Sequence, residues 1–109
     1  MEKSLVFFED NKGKVPFDQW IKRLKDKRAI ASILSKLNKV REGNFGDCKY
    51  LRSGVWELRI HYAKGYRIYF AKYLNQFVVL LWGGDKSTQR KDINRAILYW
   101  RIFKEEIET

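Results

Sequence analysis

The feature that most constrains this chain is a change of hydrophobic period. Up to residue 41 apolar side chains recur at helical spacing, and from residue 49 to 82 they recur every second residue. In the first part Phe17, Trp20, Ile21 and Leu24 fall at i, i+3, i+4 and i+7. Ile30, Ile33, Leu34, Leu37 and Val40 repeat that pattern. Pro16 suits a first helical turn, and Asp26 can cap a second helix running from Lys27 to Arg41. Gly43 and Gly46 end it. Two amphipathic helices joined this tightly predict a helical hairpin.

The second part reads as strands. Tyr50-Leu51 starts a short one, broken by Ser53-Gly54. Val55–Tyr62 places Trp56, Leu58, Ile60 and Tyr62 on one face and Glu57, Arg59 and His61 on the other. After the turn Ala63–Gly65, Tyr66–Tyr73 alternates in the same way, with Arg67, Tyr69 and Ala71 opposite Tyr66, Ile68 and Phe70. Phe77–Trp82 is apolar throughout, which predicts a strand buried on both faces, and Gly83-Gly84 leads out of it. Leu5–Phe8 is a first strand. Ser87 is the expected N-cap of a last helix whose stripe is Ile93, Ala96, Ile97, Trp100 and Ile107. The predicted order is β-α-α-β-β-β-α. This is an α+β fold in which helices pack on one face of a small antiparallel sheet and leave the other open. No repeat or linker interrupts it, so residues 1–109 read as a single domain.

Charge narrows the function. With 23 Lys+Arg against 13 Asp+Glu the chain carries +10, a field that draws in polyanions. The excess is concentrated: residues 12–41 hold ten basic and two acidic groups, and residues 49–72 hold six and one. Two basic blocks that can meet on one surface point to nucleic acid. A membrane partner is not expected, since no helix has a lipid-facing pattern and the apolar run is too short to span a bilayer. Glu2 and Lys3 after Met1 do not open a signal peptide. Cys48 has no partner for an internal disulfide, and one Cys with one His makes no usual zinc set. These features fit a cytoplasmic protein with no metal and no small-molecule cofactor.

The chemistry-bearing residues gather on the predicted open face. Arg59 and His61 on one strand stand beside Arg67 and Tyr69 on the next, and Lys86 follows the strand after that. Arginine offers a bidentate fork to phosphate, histidine exchanges protons near neutrality, and tyrosine stacks on a base or donates a proton. The competing reading is an amphipathic sheet with ordinary solvent-side residues, in which Glu57 pairs with Arg59 or Arg67. Trp20, Trp56 and Trp100 read as core. Gly83–Ser87 has a faint phosphate-loop look ahead of a helix, without the Walker spacing.

Three stretches together carry a resemblance: Glu57-Leu58-Arg59-Ile60-His61-Tyr62, Gly65-Tyr66-Arg67-Ile68-Tyr69-Phe70, and Leu80 to Gln89 with Gly83-Gly84-Asp85-Lys86-Ser87 inside it. With Phe17-x-x-Trp20 and Ala96-x-x-Tyr99-Trp100, they resemble the addiction module killer protein family, a HigB-like branch of the RelE/ParE toxin superfamily. The resemblance implies a RelE/ParE-like fold and the toxin half of a toxin–antitoxin pair. It implies a metal-independent endoribonuclease that cuts mRNA on the ribosome. The implied partners are a cognate antitoxin, mRNA, and the 70S ribosome with its 16S rRNA. ParE relatives share the fold but poison DNA gyrase, so a non-nuclease toxin is the alternative. On this basis the expected catalytic set is Arg59, His61, Arg67, Tyr69 and Lys86, and the expected RNA-binding set is Lys49, Arg52, Lys64 and Arg90. RelE-type toxins carry an aromatic early in the last helix or at the C-terminus. Here that region has Gln89 and Arg90, with Tyr99 and Trp100 later.

Overall fold

The computed structural model describes residues 1–108. Its elements are β1 (Ser4–Phe7), α1 (Pro16–Arg23), α2 (Lys27–Arg41), β2 (Cys48–Arg52), β3 (Val55–Ile60), β4 (Tyr66–Tyr73), β5 (Phe77–Asp85) and α3 (Gln89–Ile107). A 3-10 turn, Lys86–Thr88, precedes α3. The helical hairpin forms as its pattern requires. The Asp26 carboxylate accepts the backbone N–H groups of Arg28 at 2.9 Å and Ala29 at 3.2 Å. A cap of this kind contributes about 1 kcal/mol. Ala29, Ile33, Leu37 and Val40 turn the buried stripe of α2 to the sheet.

The sheet has five strands in the order β1-β5-β4-β3-β2. Cys48–Arg52 is a full edge strand, so the order gains a strand over the predicted one. The sheet is mixed, which corrects the antiparallel expectation: β1 lies parallel to β5, with Leu5 opposite Val78. Alternation reports a pleat and carries no strand direction. β1 returns to β5 only after the hairpin and three strands, so no tight turn fixes its sense.

A second correction concerns the faces. Two successive glycines of β5 show it: a Cβ on Gly83 would run into the Trp20 ring of α1, and a Cβ on Gly84 would run into the Asp92 carboxylate of α3. The hairpin therefore covers one face and α3 the other. The uninterrupted apolar run of β5 demands this, because a strand buried on both sides needs cover on both. Gly83 and Gly84 remain in the ladder opposite Ile68 and Arg67 and extend β5 to Asp85. Ala96 and Trp100 are buried as expected, whereas Ile107 is 42% exposed at the far end of α3. Among the described residues no helix is long and apolar enough to cross a membrane.

Candidate nucleic-acid interface

The face under α3 carries the polar residues, and one buried carboxylate organises them. Glu57 points from β3 toward α3 and has no exposed surface. Three elements supply its partners. Arg59 Nε of β3 donates to Oε1 at 3.1 Å, Gln89 Nε2 of α3 donates to Oε2 at 2.8 Å, and Arg67 Nε of β4 stands 3.5 Å from Oε2 as an ion-pair contact. Arg59 and Arg67 are directly opposed cross-strand neighbours. Two like charges so placed repel. The carboxylate between them relieves that repulsion, holding Arg59 by a hydrogen bond and Arg67 by charge alone.

The outer ends of the same arginines reach an open hollow of about 390 Å³ whose wall also includes His61, Lys64 and Lys86. The structure therefore brings together four of the five residues expected to be catalytic. Tyr69 does not join them. α3 covers it completely, and its hydroxyl is sealed from solvent beside the Glu57 carboxylate. Burial first, and the Glu57 and Asp92 carboxylates second, hold that phenol well above its ordinary pKa. A tyrosine so enclosed cannot stack on a base, so its expected role is withdrawn.

His61 differs from expectation in a useful way. β3 ends at Ile60, so His61 leaves the pleat and its Nε2 lies 2.5 Å from Asp47 Oδ2 on the loop before β2. The His61 contact is the main cause that lowers the Asp47 pKa, with Arg59 and Lys36 adding to it. The contact to Asp47 uses one ring nitrogen of His61, a residue on the wall of the hollow, and leaves the other for a second partner.

The residues expected to bind RNA flank this centre. Lys64 lies on the wall of the hollow itself. Lys49, Arg52 and Arg90 line a neighbouring recess that Gln89 shares, and Arg52 Nη2 donates to Asn94 Oδ1 at 2.8 Å. The Gly83–Ser87 segment is not a phosphate loop. The N–H of Ser87 is already taken by the Asp85 carboxylate at 2.8 Å, and Gly84 makes room for Asp92. Asp85 thereby does the capping expected of Ser87, for the 3-10 turn that leads into α3. Trp82 belongs to the core and donates its Nε1–H to Asp92 Oδ1 at 2.9 Å. Tyr99 stacks on Phe8, so neither late aromatic of α3 faces the hollow.

Sequence reasoning undervalued Glu57 and missed Asp47 and Gln89. One signal existed for Glu57: it is the only acidic residue between 49 and 72, set among six basic ones. Nothing local marked Asp47 or Gln89, because each meets its partner across the fold.

Residues 19–98 match the family described as "Phage derived protein Gp49-like (DUF891)". A Haemophilus influenzae protein named "Uncharacterized protein" is 46% identical over 87 residues, which cover 80% of this chain and 88% of that one. The matched stretch takes in every residue of the hollow and of its carboxylate support.

Proposed function

The chain belongs to the phage-derived Gp49-like family, and from that premise we propose that it is the toxin of a toxin–antitoxin pair, a metal-independent endoribonuclease that cuts mRNA on the ribosome. This reading places it in the HigB-like branch of the RelE/ParE superfamily. The observation that carries it is the convergence of Arg59, Arg67, His61, Lys64 and Lys86 on one open hollow, with Glu57 ion-paired to both arginines from behind.

In this reading the chemistry is an in-line transesterification. The ribose 2′-hydroxyl attacks the adjacent phosphorus, the O2′–P bond forms, and the P–O5′ bond breaks. His61 donates Nε2–H to Asp47 and takes the 2′-hydroxyl proton on Nδ1. Arg59 and Arg67 face the equatorial oxygens of the phosphorane and stabilise charge that exists only in the transition state. Lys86 stands by the leaving O5′ and supplies positive charge and a proton. The products are a 2′,3′-cyclic phosphate and a 5′-hydroxyl end. Lys49, Arg52, Lys64 and Arg90 hold the neighbouring phosphates.

The protein partner in this reading is an antitoxin with an acidic segment that lies over the hollow and competes with phosphate for Arg59, Arg67 and Lys86.

The test is purified protein added to a translating extract, with mRNA 5′ ends mapped. Cuts that require ribosomes and leave 5′-hydroxyl ends are expected. His61→Gln is expected to lower cleavage about 10²- to 10⁴-fold. Gyrase-dependent DNA breaks with intact mRNA would replace this reading by the ParE-like one.

A further inference from the structure

The hollow has a neighbour across His61. On the far side of that residue a second recess, of about 460 Å³, runs along α2. Arg59, Ile60 and His61 belong to the walls of both, so the two recesses lie side by side with His61 between them and Asp47 on the α2 side. The α2 wall of the second recess is Ala31 together with four polar residues, Ser32, Ser35, Lys36 and Lys39. The four polar positions follow i, i+3, i+4 and i+7, a single helix stripe. The stripe is separate from the α2 residues in the core, Ala29, Ile33, Leu37 and Val40. It is separate also from Leu34, Asn38 and Arg41, which line an apolar groove on the side of β1. Two hydroxyls and two ammonium groups on one stripe are donors without a matching acidic row. The carboxylate on this side, Asp47, is engaged by His61.

We propose that α2 is the second arm of a polynucleotide track: a single-stranded RNA whose scissile phosphate lies between Arg59 and Arg67 continues past His61 and lays its next phosphates on Ser32, Ser35, Lys36 and Lys39. The inference rests on the reading of the hollow as a phosphate site. The hydroxyls and lysines touch the backbone, and such interactions carry no base preference. The arm adds affinity and direction to the bound strand and takes no part in bond cleavage. Binding then depends on length, since a short RNA fills the hollow alone and a longer one reaches α2.

The experiment measures binding of two single-stranded RNAs to the full chain by fluorescence anisotropy over a salt series, one of about 4 nucleotides and one of about 12. The double variant Lys36→Ala/Lys39→Ala is compared with Lys12→Ala/Arg101→Ala, which removes the same charge from residues that line neither recess. Each phosphate of a single strand that no longer meets a cation lowers the slope of log K against log salt by about 0.7, so the α2 variant should drop by about 1.4 in slope for the longer RNA. It should bind the shorter RNA as the wild type does, and the control variant should bind both as the wild type does. Equal weakening for both RNAs, equal weakening in both variants, or no change at all would overturn the arm. Failure of the short RNA to respond to Arg59→Ala would instead overturn the phosphate reading of the hollow, and the arm with it. Absence of ribosomal cleavage with length-dependent binding intact would leave the arm standing and reject the nuclease reading alone.

Discussion

Leu58 and Glu57 are neighbours on β3, both are fully buried, and they face opposite helices. Leu58 looks toward the hairpin, where its cross-strand partner is Ile68 and the layer continues through Ile60, Tyr66 and Phe70. Glu57 looks toward α3 and meets Arg59, Arg67 and Gln89. Burial of the first face is stabilised by area and packing, and needs no specific partner. Burial of the second is tolerable only while each charge has its counterpart. Depth of burial therefore does not separate scaffold from site in this molecule. The kind of compensation does. The apolar face holds the sheet in place, and the polar face spends stability to aim two arginines at solvent.

The sharpest way to probe the contrast is on the apolar side. Phe70 is fully buried, stacked on Phe45 with ring centroids 5.5 Å apart. Phe70→Ala should cost about 3–5 kcal/mol. Urea denaturation reads it, and the loss should be the same at every pH where the protein folds. A loss that varied with pH would mean that the hairpin face too rests on charge.

On the polar side, Arg67→Ala leaves the Glu57 carboxylate under-compensated. The Arg67 side chain is 13% exposed, so the cost should fall somewhat below the full value for a broken buried pair, at about 2–3 kcal/mol. Cleavage should fall by about 10²–10³ as well. The paired change Glu57→Leu/Arg67→Leu should recover much of the stability and none of the activity, as denaturation and mRNA cleavage measured together will show. Recovery of both would make the clamp a structural device unrelated to the hollow.

A smaller effect is expected where the same face uses a neutral donor. Asp92 accepts from Trp82 Nε1 and from the Thr88 hydroxyl, and is itself buried. Asp92→Ala should cost about 1–3 kcal/mol, since it strands the indole N–H. Cleavage per folded molecule should be unchanged, because Asp92 does not reach the hollow.

The smallest effect is a pH dependence at the junction with α2. The folded pKa of Asp47 lies below its ordinary value of 3.8, chiefly through His61. A depressed carboxyl contributes stability above its unfolded pKa and loses it as pH falls through the folded one. Wild type should therefore be slightly more stable than Asp47→Asn near neutrality, with the difference vanishing as the pH falls below 3.8. Acid titration of thermal midpoints checks it. A gap that widens in acid would reverse the sign of the Asp47–His61 interaction.

Most of the secondary structure was legible because local rules set it. The α2 boundaries follow from Asp26 and the period of Ile30 to Val40, and β4 runs from Tyr66 to Tyr73 as its alternation requires. The adjacency of β3 and β4 was legible too, but not their register: a turn at Ala63–Gly65 would set Arg59 against Tyr69, whereas β3 stops at Ile60, which pairs with Tyr66, and Arg59 meets Arg67. By itself, then, the sequence determined most of the elements, the Asp26 cap, the adjacency of β3 and β4 and the identity of the cationic cluster. The tertiary structure decided the rest. It set the parallel sense of β1, which depends on a return path through the whole hairpin. It laid α3 over the face that alternation alone leaves open, which removed Tyr69 from the site and sealed Glu57 between two arginines. It brought Asp47 to His61 and Gln89 to Glu57 from distant positions in the chain. Periodicity and capping act over a few residues and are written in any short window. The compensation of a buried charge is settled by whatever the whole fold places against it.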